Sequence, residues 1–414
     1  MEFKILVLAF VILSTAYNIV LNVIKYHSAK NPTPESVSDI YDAETYQKWR
    51  RYIAEQCRLD IASNAISGVI SLILLATNAY SAFAALFSQD NIHLQLLAII
   101  ILEVTVSTVF GTVFSYINTM IIEEKYGFNR STLKTFILDQ IRSLAVNILL
   151  CVALAEAMTL LMINKLLVIA FGAIVFLGML LISFIYPYLS RIGNKFTPLE
   201  EGELRDRLLE MLSRHGYSVK AIEVMDASRR TTKLNAYIAG FGKTKSIVLY
   251  DNMLEKMSTD EICAIFAHEM GHGLHKDVLK GQIFNIGYIA LISALVYIAV
   301  AEPGFHTQFG FESVNYGFAY LLVSVGLGVL QPLTSMAMNA RSRAAEYAAD
   351  RQAVTEGYGK PMITAFKKLA KDNFANLSPS KINVVLEYSH PPIHSRVEAV
   401  EKAMADLIPS DNDK

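Results

Sequence analysis

Charge is scarce in this chain. Only 18% of its 414 residues are Asp, Glu, Lys or Arg, against about a quarter in ordinary soluble proteins. That shortfall argues against a soluble globular protein. Lys and Arg nearly balance Asp and Glu, leaving a net charge of −1. The totals therefore carry no footprint for nucleic acid, and no nucleic-acid partner is expected. Cysteine is scarce too. Cys57, Cys151 and Cys263 lack metal-ligand spacing and read as reduced, structural residues, which excludes a disulfide framework. No internal repeat or low-complexity tract is visible, and only the tail Pro409–Lys414 reads as disordered.

Apolar residues fill the gap. They make up 53% of the chain, and mean hydropathy is +0.36. Phe3–Val23 is long enough to cross a bilayer at 1.5 Å per residue. Its one leading basic residue, Lys4, and its long apolar run distinguish it from a signal peptide. Further spans are expected at about 63–86, 93–115, 144–163, 166–187, 282–301 and 316–337, making seven. The first loop carries Lys25, Lys30, Lys48, Arg50, Arg51 and Arg58, and the second carries no Lys or Arg. The third carries Lys125, Arg130, Lys134 and Arg142, the fourth only Lys165, and the sixth, Ala301–Ser313, none. The long fifth loop is rich in both. This alternation puts the N-terminus outside, with the fifth loop and the C-terminus in the cytoplasm.

The fifth loop holds the chemistry. Residues 188–281 read as a soluble α/β segment. A helix is expected to open at Pro198-Leu199-Glu200-Glu201 and to end at Gly216. Strand candidates follow at Val219–Met225, Ala236–Phe241 and Ser246–Tyr250, the last two joined by a hairpin-like Gly242-Lys243-Thr244-Lys245. Then comes His268-Glu269-Met270-Gly271-His272. Ser258 and Glu261 form a capping box ahead of it, and Ile262, Ala264, Ile265, Phe266 and Ala267 make the helix apolar. Residues four apart share a helix face, so His268 and His272 can hold one metal while Glu269 reaches a water on it. This is the zinc peptidase arrangement.

A catalytic zinc needs a third protein ligand and an open position. Glu346, in Arg341-Ser342-Arg343-Ala344-Ala345-Glu346-Tyr347-Ala348-Ala349-Asp350, suits the third ligand. Its alanine-lined helix allows close approach. Asp350, one turn on, suits a partner for a ligating ring N–H. The plain alternative is a solvated helix on which Arg343 pairs with Glu346. In Ser389-His390-Pro391-Pro392-Ile393-His394-Ser395-Arg396, two prolines stiffen the chain after His390. His390 can then donate to an oxyanion, and Arg396 can pair with Glu346 or Asp350. A surface turn before a helix Arg396–Met404 is the alternative there. Asn235-Ala236-Tyr237 begins a strand that, at a sheet edge, can bind a peptide by strand addition; an ordinary strand is the alternative.

These motifs together resemble the type I CAAX prenyl endoprotease family of integral-membrane zinc proteases. Ile122-Glu123-Glu124-Lys125-Tyr126-Gly127-Phe128-Asn129-Arg130-Ser131-Thr132, with Phe136 and Asp139, is similar to a stretch of that family's N-terminal half. The resemblance thus spans nearly the whole chain. It implies a mainly α, integral-membrane fold of seven transmembrane helices around a large chamber, with a cytoplasmic zincin (gluzincin) α+β lobe. Residues 1–190 would supply five spans, 191–281 the first part of the lobe, 282–338 two spans, and 339–414 the rest of the lobe. It implies ligands His268, His272 and Glu346 for one Zn²⁺ per chain, with Glu269 as base. The substrate would be a peptide or protein, isoprenylated in the family. Membrane lipid would be the other partner. The chain's length is like that of compact bacterial members, which points to a bacterial inner membrane, or to the endoplasmic reticulum in a eukaryote. A quality-control protease of the HtpX type, and a transporter or scaffold with an incidental His pair, remain as alternatives.

Overall fold

A computed structural model describes residues 1–407 apart from 89, 190, 192 and 240–244. The Gly242–Lys245 link and the tail from Pro409 lie wholly or largely outside those residues. The chain is mainly helical. Its helices are α1 (Glu2–Ser28), α2 (Ala43–Ala76), α3 (Ala79–Ala84), α4 (Ile92–Tyr116), α5 (Glu124–Tyr126), α6 (Leu133–Met158), α7 (Val168–Leu189), α8 (Glu203–Arg214), α9 (Asp251–Lys256), α10 (Thr259–Leu274), α11 (Asp277–Ala301), α12 (Gly304–Thr307), α13 (Tyr316–Thr355), α14 (Gly359–Asp372), α15 (Lys381–Leu386) and α16 (Ile393–Asp406). Among the described residues, the seven helices long and apolar enough to cross a membrane are α1, α2, α4, α6, α7, α11 and α13, three of them (α4, α6 and α7) carried further by short helical turns at one end.

The seven spans fall near their expected places, with one shift. The second, expected at 63–86, is the helix Ala43–Ala76. Its start is fixed by Asp42, whose side chain accepts from Thr45 N at 2.7 Å, an N-cap that frees the polar residues 43–60 to extend the helix. It stops where Asn78 takes a left-handed backbone, φ 58°.

The small sheet has strands β1 (Phe196–Pro198), β2 (Ala221–Met225), β3 (Ala236–Ala239) and β4 (Ser246–Tyr250), in the order β1-β2-β4-β3. β2 runs parallel to β4, while β1 and β3 are antiparallel to their neighbours. The expected helix start at Pro198 is therefore wrong. Pro198 ends an edge strand, where a missing N–H is tolerated. The helix begins at Glu203 behind Gly202, whose φ of 151° favours glycine.

Two large apolar cores, with a small third cluster at Met225, Ala227 and Val248, stabilise the described residues. One lies among the membrane helices and includes Leu96, Ile99, Phe171 and Phe318. The other unites α10, α14 and α16 with the first half of α2, burying Trp49, Tyr52, Cys57, Phe266 and Phe366 together. Each such large side chain contributes about 1.5–3 kcal/mol. All three cysteines are free and buried. A cavity of about 280 Å³ lies between α1, α2, α4 and α13, lined in part by Ser14, Asn18, Asn64, Tyr80 and Glu103.

The 40-residue α13 is a rod about 60 Å long at 1.5 Å per residue. It continues through Pro332, so the last span and the helix carrying Glu346 are one element.

Candidate metal centre

Helix α10 forms as its sequence dictates. Ser258 and Glu261 make both capping-box bonds, Glu261 N to Ser258 Oγ at 3.3 Å and Ser258 N to Glu261 Oε2 at 2.8 Å. Every residue from Glu261 to His268 is buried, so this helix is the centre of the lobe. α13 crosses it closely. A Cβ built on Gly271 would lie 3.1 Å from Ala349 Cα and 3.0 Å from Gln352 Cβ. Gly271→Ala should therefore force the two helices apart, at a cost of about 1–3 kcal/mol. A lowered thermal unfolding temperature in detergent checks this, and an unchanged one would show that the crossing is looser.

That crossing brings Glu346 to the two histidines. His268 Nε2 and His272 Nε2 are 3.2 Å apart. Glu346 Oε2 lies 3.6 Å from the first ring and Oε1 3.3 Å from the second. The three ligand atoms all lie within 4.8 Å of one another. Two donors on a tetrahedral zinc, each about 2.0–2.1 Å from it, stand about 3.3 Å apart. The triangle fits such an ion. Glu346 Oε2 is also buried without a hydrogen-bond partner among the described residues, as suits an oxygen that donates to a metal.

The outer contacts are equally specific. His268 Nδ1 is 2.8 Å from Asp350 Oδ1, which sets Nε2 free to face Glu346. Arg396 holds Asp350 with two bonds, Nε to Oδ2 at 2.9 Å and Nη2 to Oδ1 at 2.6 Å, and lies 3.3 Å from Glu346 Oε2. Burial works against its charge, but the carboxylates of Asp350, Glu346 and Glu269 push the guanidinium above its usual range. Arg343 does not pair with Glu346. It donates to the carbonyls of Val384 and Tyr388 at 2.7 and 2.8 Å, so the solvated-helix alternative fails.

One member was not anticipated. Asp277 Oδ2 is 2.9 Å from His272 Nδ1, giving each histidine its own carboxylate. The signal available was an acidic residue five positions after His272, in the first turn of the next helix. Burial opposes charge on His272, but Glu346 and Asp277 outweigh it and raise the ring to about 9. Burial also pushes the Glu269 carboxyl above its usual range, against the pull of His268 and His272.

His390 stands at the mouth of the site. Its side chain is 63% exposed, with Nε2 3.2 Å from Glu346 Oε1, and Ser389 Oγ lies 2.9 Å from its Nδ1. The following helix starts at Ile393 rather than Arg396. Asn235, Ala236 and Tyr237 lie at the edge of the sheet, in and just before β3.

Comparison with known proteins gives the family of the chain. Residues 198–404 match peptidase family M48. Residues 6–191 match the CAAX prenyl protease N-terminal region, described as five membrane helices. The chain is 28% identical over 421 residues to a CAAX prenyl protease 1 homolog of Oryza sativa subsp. japonica, covering 96% of this chain and 97% of that one. It is 27% identical over 407 residues to CAAX prenyl protease 1 of Saccharomyces cerevisiae, covering 89% and 88%. Length therefore does not separate this chain from the plant relative. The crystal structure of Ste24p from S. mikatae superposes with a TM-score of 0.90 at 25% identity, covering 97% of this chain and 99% of that one. The chain belongs to peptidase family M48, as an integral, multi-pass membrane metallopeptidase of the CAAX prenyl protease type.

Proposed function

We propose that the protein is a zinc endopeptidase that cleaves near the C-terminus of CAAX-type, isoprenylated proteins or peptides. The carrying observation is the triangle of His268, His272 and Glu346, sized for zinc, with no hydrogen bond made by Glu346 Oε2 among the described residues. The names of the relatives supply the substrate class. His268, His272 and Glu346 hold one zinc ion per chain. Zinc, when bound, supplies Lewis-acid polarisation of a carbonyl and acidification of water.

The chain's own groups do the rest. Glu269 takes a proton from the attacking water and passes it to the leaving amine. His390, exposed and beside Glu346, donates to the oxyanion. Asp350 and Arg396 fix His268. The backbone around Asn235, Ala236 and Tyr237 pairs with the peptide at the open edge of the sheet. Residues 191–281 and 339–414 act as one lobe, which the core they share supports.

The lobe faces the cytoplasm, on the strength of the Lys and Arg alternation. A cysteine introduced at Thr307 should then label with an impermeant thiol reagent in intact cells, and one at Asp226 should not. The native cysteines are buried, so they add little background. The reverse pattern would overturn the orientation and the cytoplasmic route of substrate entry.

The spans offer apolar surface for an isoprenoid, each buried CH₂ being worth about 0.8 kcal/mol. Because the lipid binds away from the reacting carbonyl, it should lower KM more than it raises kcat. A farnesylated CAAX peptide is expected to exceed the same peptide with a free thiol by about tenfold or more in kcat/KM. Equal values would rule out a lipid-binding role and favour a general membrane-protein protease.

A further inference from the structure

The Ile122–Thr132 stretch takes no part in the chemistry described above, yet it is tied to the loop that leads into β3. The π-helical turn Ile117–Glu123 ends α4. Gly127, at φ 82°, then turns the chain towards the lobe. Backbone bonds join Arg130 N to Arg230 O at 3.0 Å and Thr232 N to Phe128 O at 3.1 Å. Asp139 pairs with Arg230. Glu123 holds the last charged residue before the strand, with Lys233 Nζ 3.1 Å from Oε1. Tyr52 OH and Gln56 Nε2, both from α2, donate to the same oxygen at 2.6 and 3.1 Å. Lys233 Nζ also lies 4.9 Å from the centre of the Phe128 ring. Glu123 is largely shielded from water, at 13% side-chain exposure, and Lys233 partly so, at 34%, and the contact is charge-assisted.

Two residues beyond Lys233 the chain becomes the sheet edge. Tyr250 N donates to Asn235 O at 3.2 Å, so Asn235 faces β4. In an antiparallel pair successive residues alternate. Ala236 and Ile238 therefore direct their N–H and C=O to the open edge. Asn235 Oδ1 accepts from Ala236 N at 3.0 Å, a local bond that a paired peptide replaces. Because the side-chain period of a strand is two, a shift of one residue changes which groups face which side. For a peptide paired at this edge, the position of β3 along its axis sets which of its bonds the strand presents to the site.

We propose that Glu123 is a positioning residue for cleavage-site choice. Through Lys233 it fixes the edge strand β3 to the membrane helices α2 and α4, so that a peptide whose flanking part is held among the spans meets the strand in one register. The proposal rests on the reading of β3 as the peptide-binding edge. It deepens that reading by naming what sets the register.

The test uses the full-length protein in detergent and a farnesylated peptide with two adjacent bonds of similar side chains. Products are identified by mass, and kcat and KM are measured separately. Glu123→Gln and, independently, Lys233→Met should each raise the share cut at the neighbouring bond several-fold. Each should lower kcat/KM by about tenfold, a misplacement effect, with thermal unfolding little changed. The exchange of charges, Glu123→Lys with Lys233→Glu, should restore a single product. A single unshifted product in both single variants would overturn the proposal, whether or not folded yield falls. Ile238→Pro removes an outward N–H and tests the underlying reading on its own. A raised KM in that variant upholds peptide pairing with β3, so that unshifted products then defeat only the role of Glu123. An unchanged KM would defeat the pairing and the proposal together.

Discussion

Glu269→Gln is expected to lower kcat by about 10²–10⁴-fold, the span of a general acid–base contribution, while zinc per chain stays the same. The substitution keeps the size of the side chain and its place on α10 and removes its ability to take a proton. Neither His268 nor His272 is changed, and Glu346 reaches both rings from α13, so the ligand triangle survives. The amide is neutral, and burial already disfavours the charged form of Glu269, so folding should not suffer. Elemental analysis of purified protein together with single-turnover peptide cleavage separates the two readouts. Near-normal turnover would remove Glu269 from the mechanism. Loss of zinc together with activity would make it a structural or ligating residue instead.

Glu346→Ala should have the largest effect on the metal. It deletes one of the three proposed ligands, and the loss of affinity should exceed the roughly 10–100-fold typical of an outer partner. Asp350→Ala differs in kind. Zinc is expected to stay at saturating metal, with activity lowered, because Asp350 contacts the far side of His268. Its removal also leaves Arg396, which is 8% exposed, buried without its main partner. Breaking such a pair costs about 3–5 kcal/mol, so the Asp350 variant should unfold at a markedly lower temperature. Zinc titration and thermal unfolding, run side by side on both variants, distinguish these outcomes. Full zinc in Glu346→Ala would mean that the third ligand lies elsewhere. His275 is then the next residue to examine, since its Nδ1 is buried and has no hydrogen-bond partner among the described residues.

Much of this was legible from local sequence. The capping box of Ser258 and Glu261 and the spacing of His268 and His272 concern one helix, where propensity and periodicity act over a few residues. The spans were legible because lipid demands long apolar helices whatever their neighbours are. Their ends were less so. Ala43–Ala76 begins well before its apolar part, because the Asp42 cap, not hydropathy, decides where a helix starts. Glu346 and Asp350 were legible as a pair by their spacing on an alanine-lined helix, since positions one turn apart must share a face.

The sequence by itself determined the periodic features: the seven apolar helices, the histidine pair on one face of α10, the acidic pair on one face of α13, and the alternation of charged loops. Only the tertiary structure decided what these faces meet. It joined the last span and Glu346 into one 40-residue helix and crossed it over Gly271 closely enough for Glu346 to reach both rings. It gave His272 a carboxylate from the start of a membrane helix, clamped Asp350 with Arg396 from 46 positions away in sequence, and ordered the strands so that β3 lies at the edge. The physical reason is range. Helix periodicity and capping are satisfied within a few residues. A metal triangle, a buried ion pair and a strand order join groups distant in the chain, and they exist only when packing brings separate elements together.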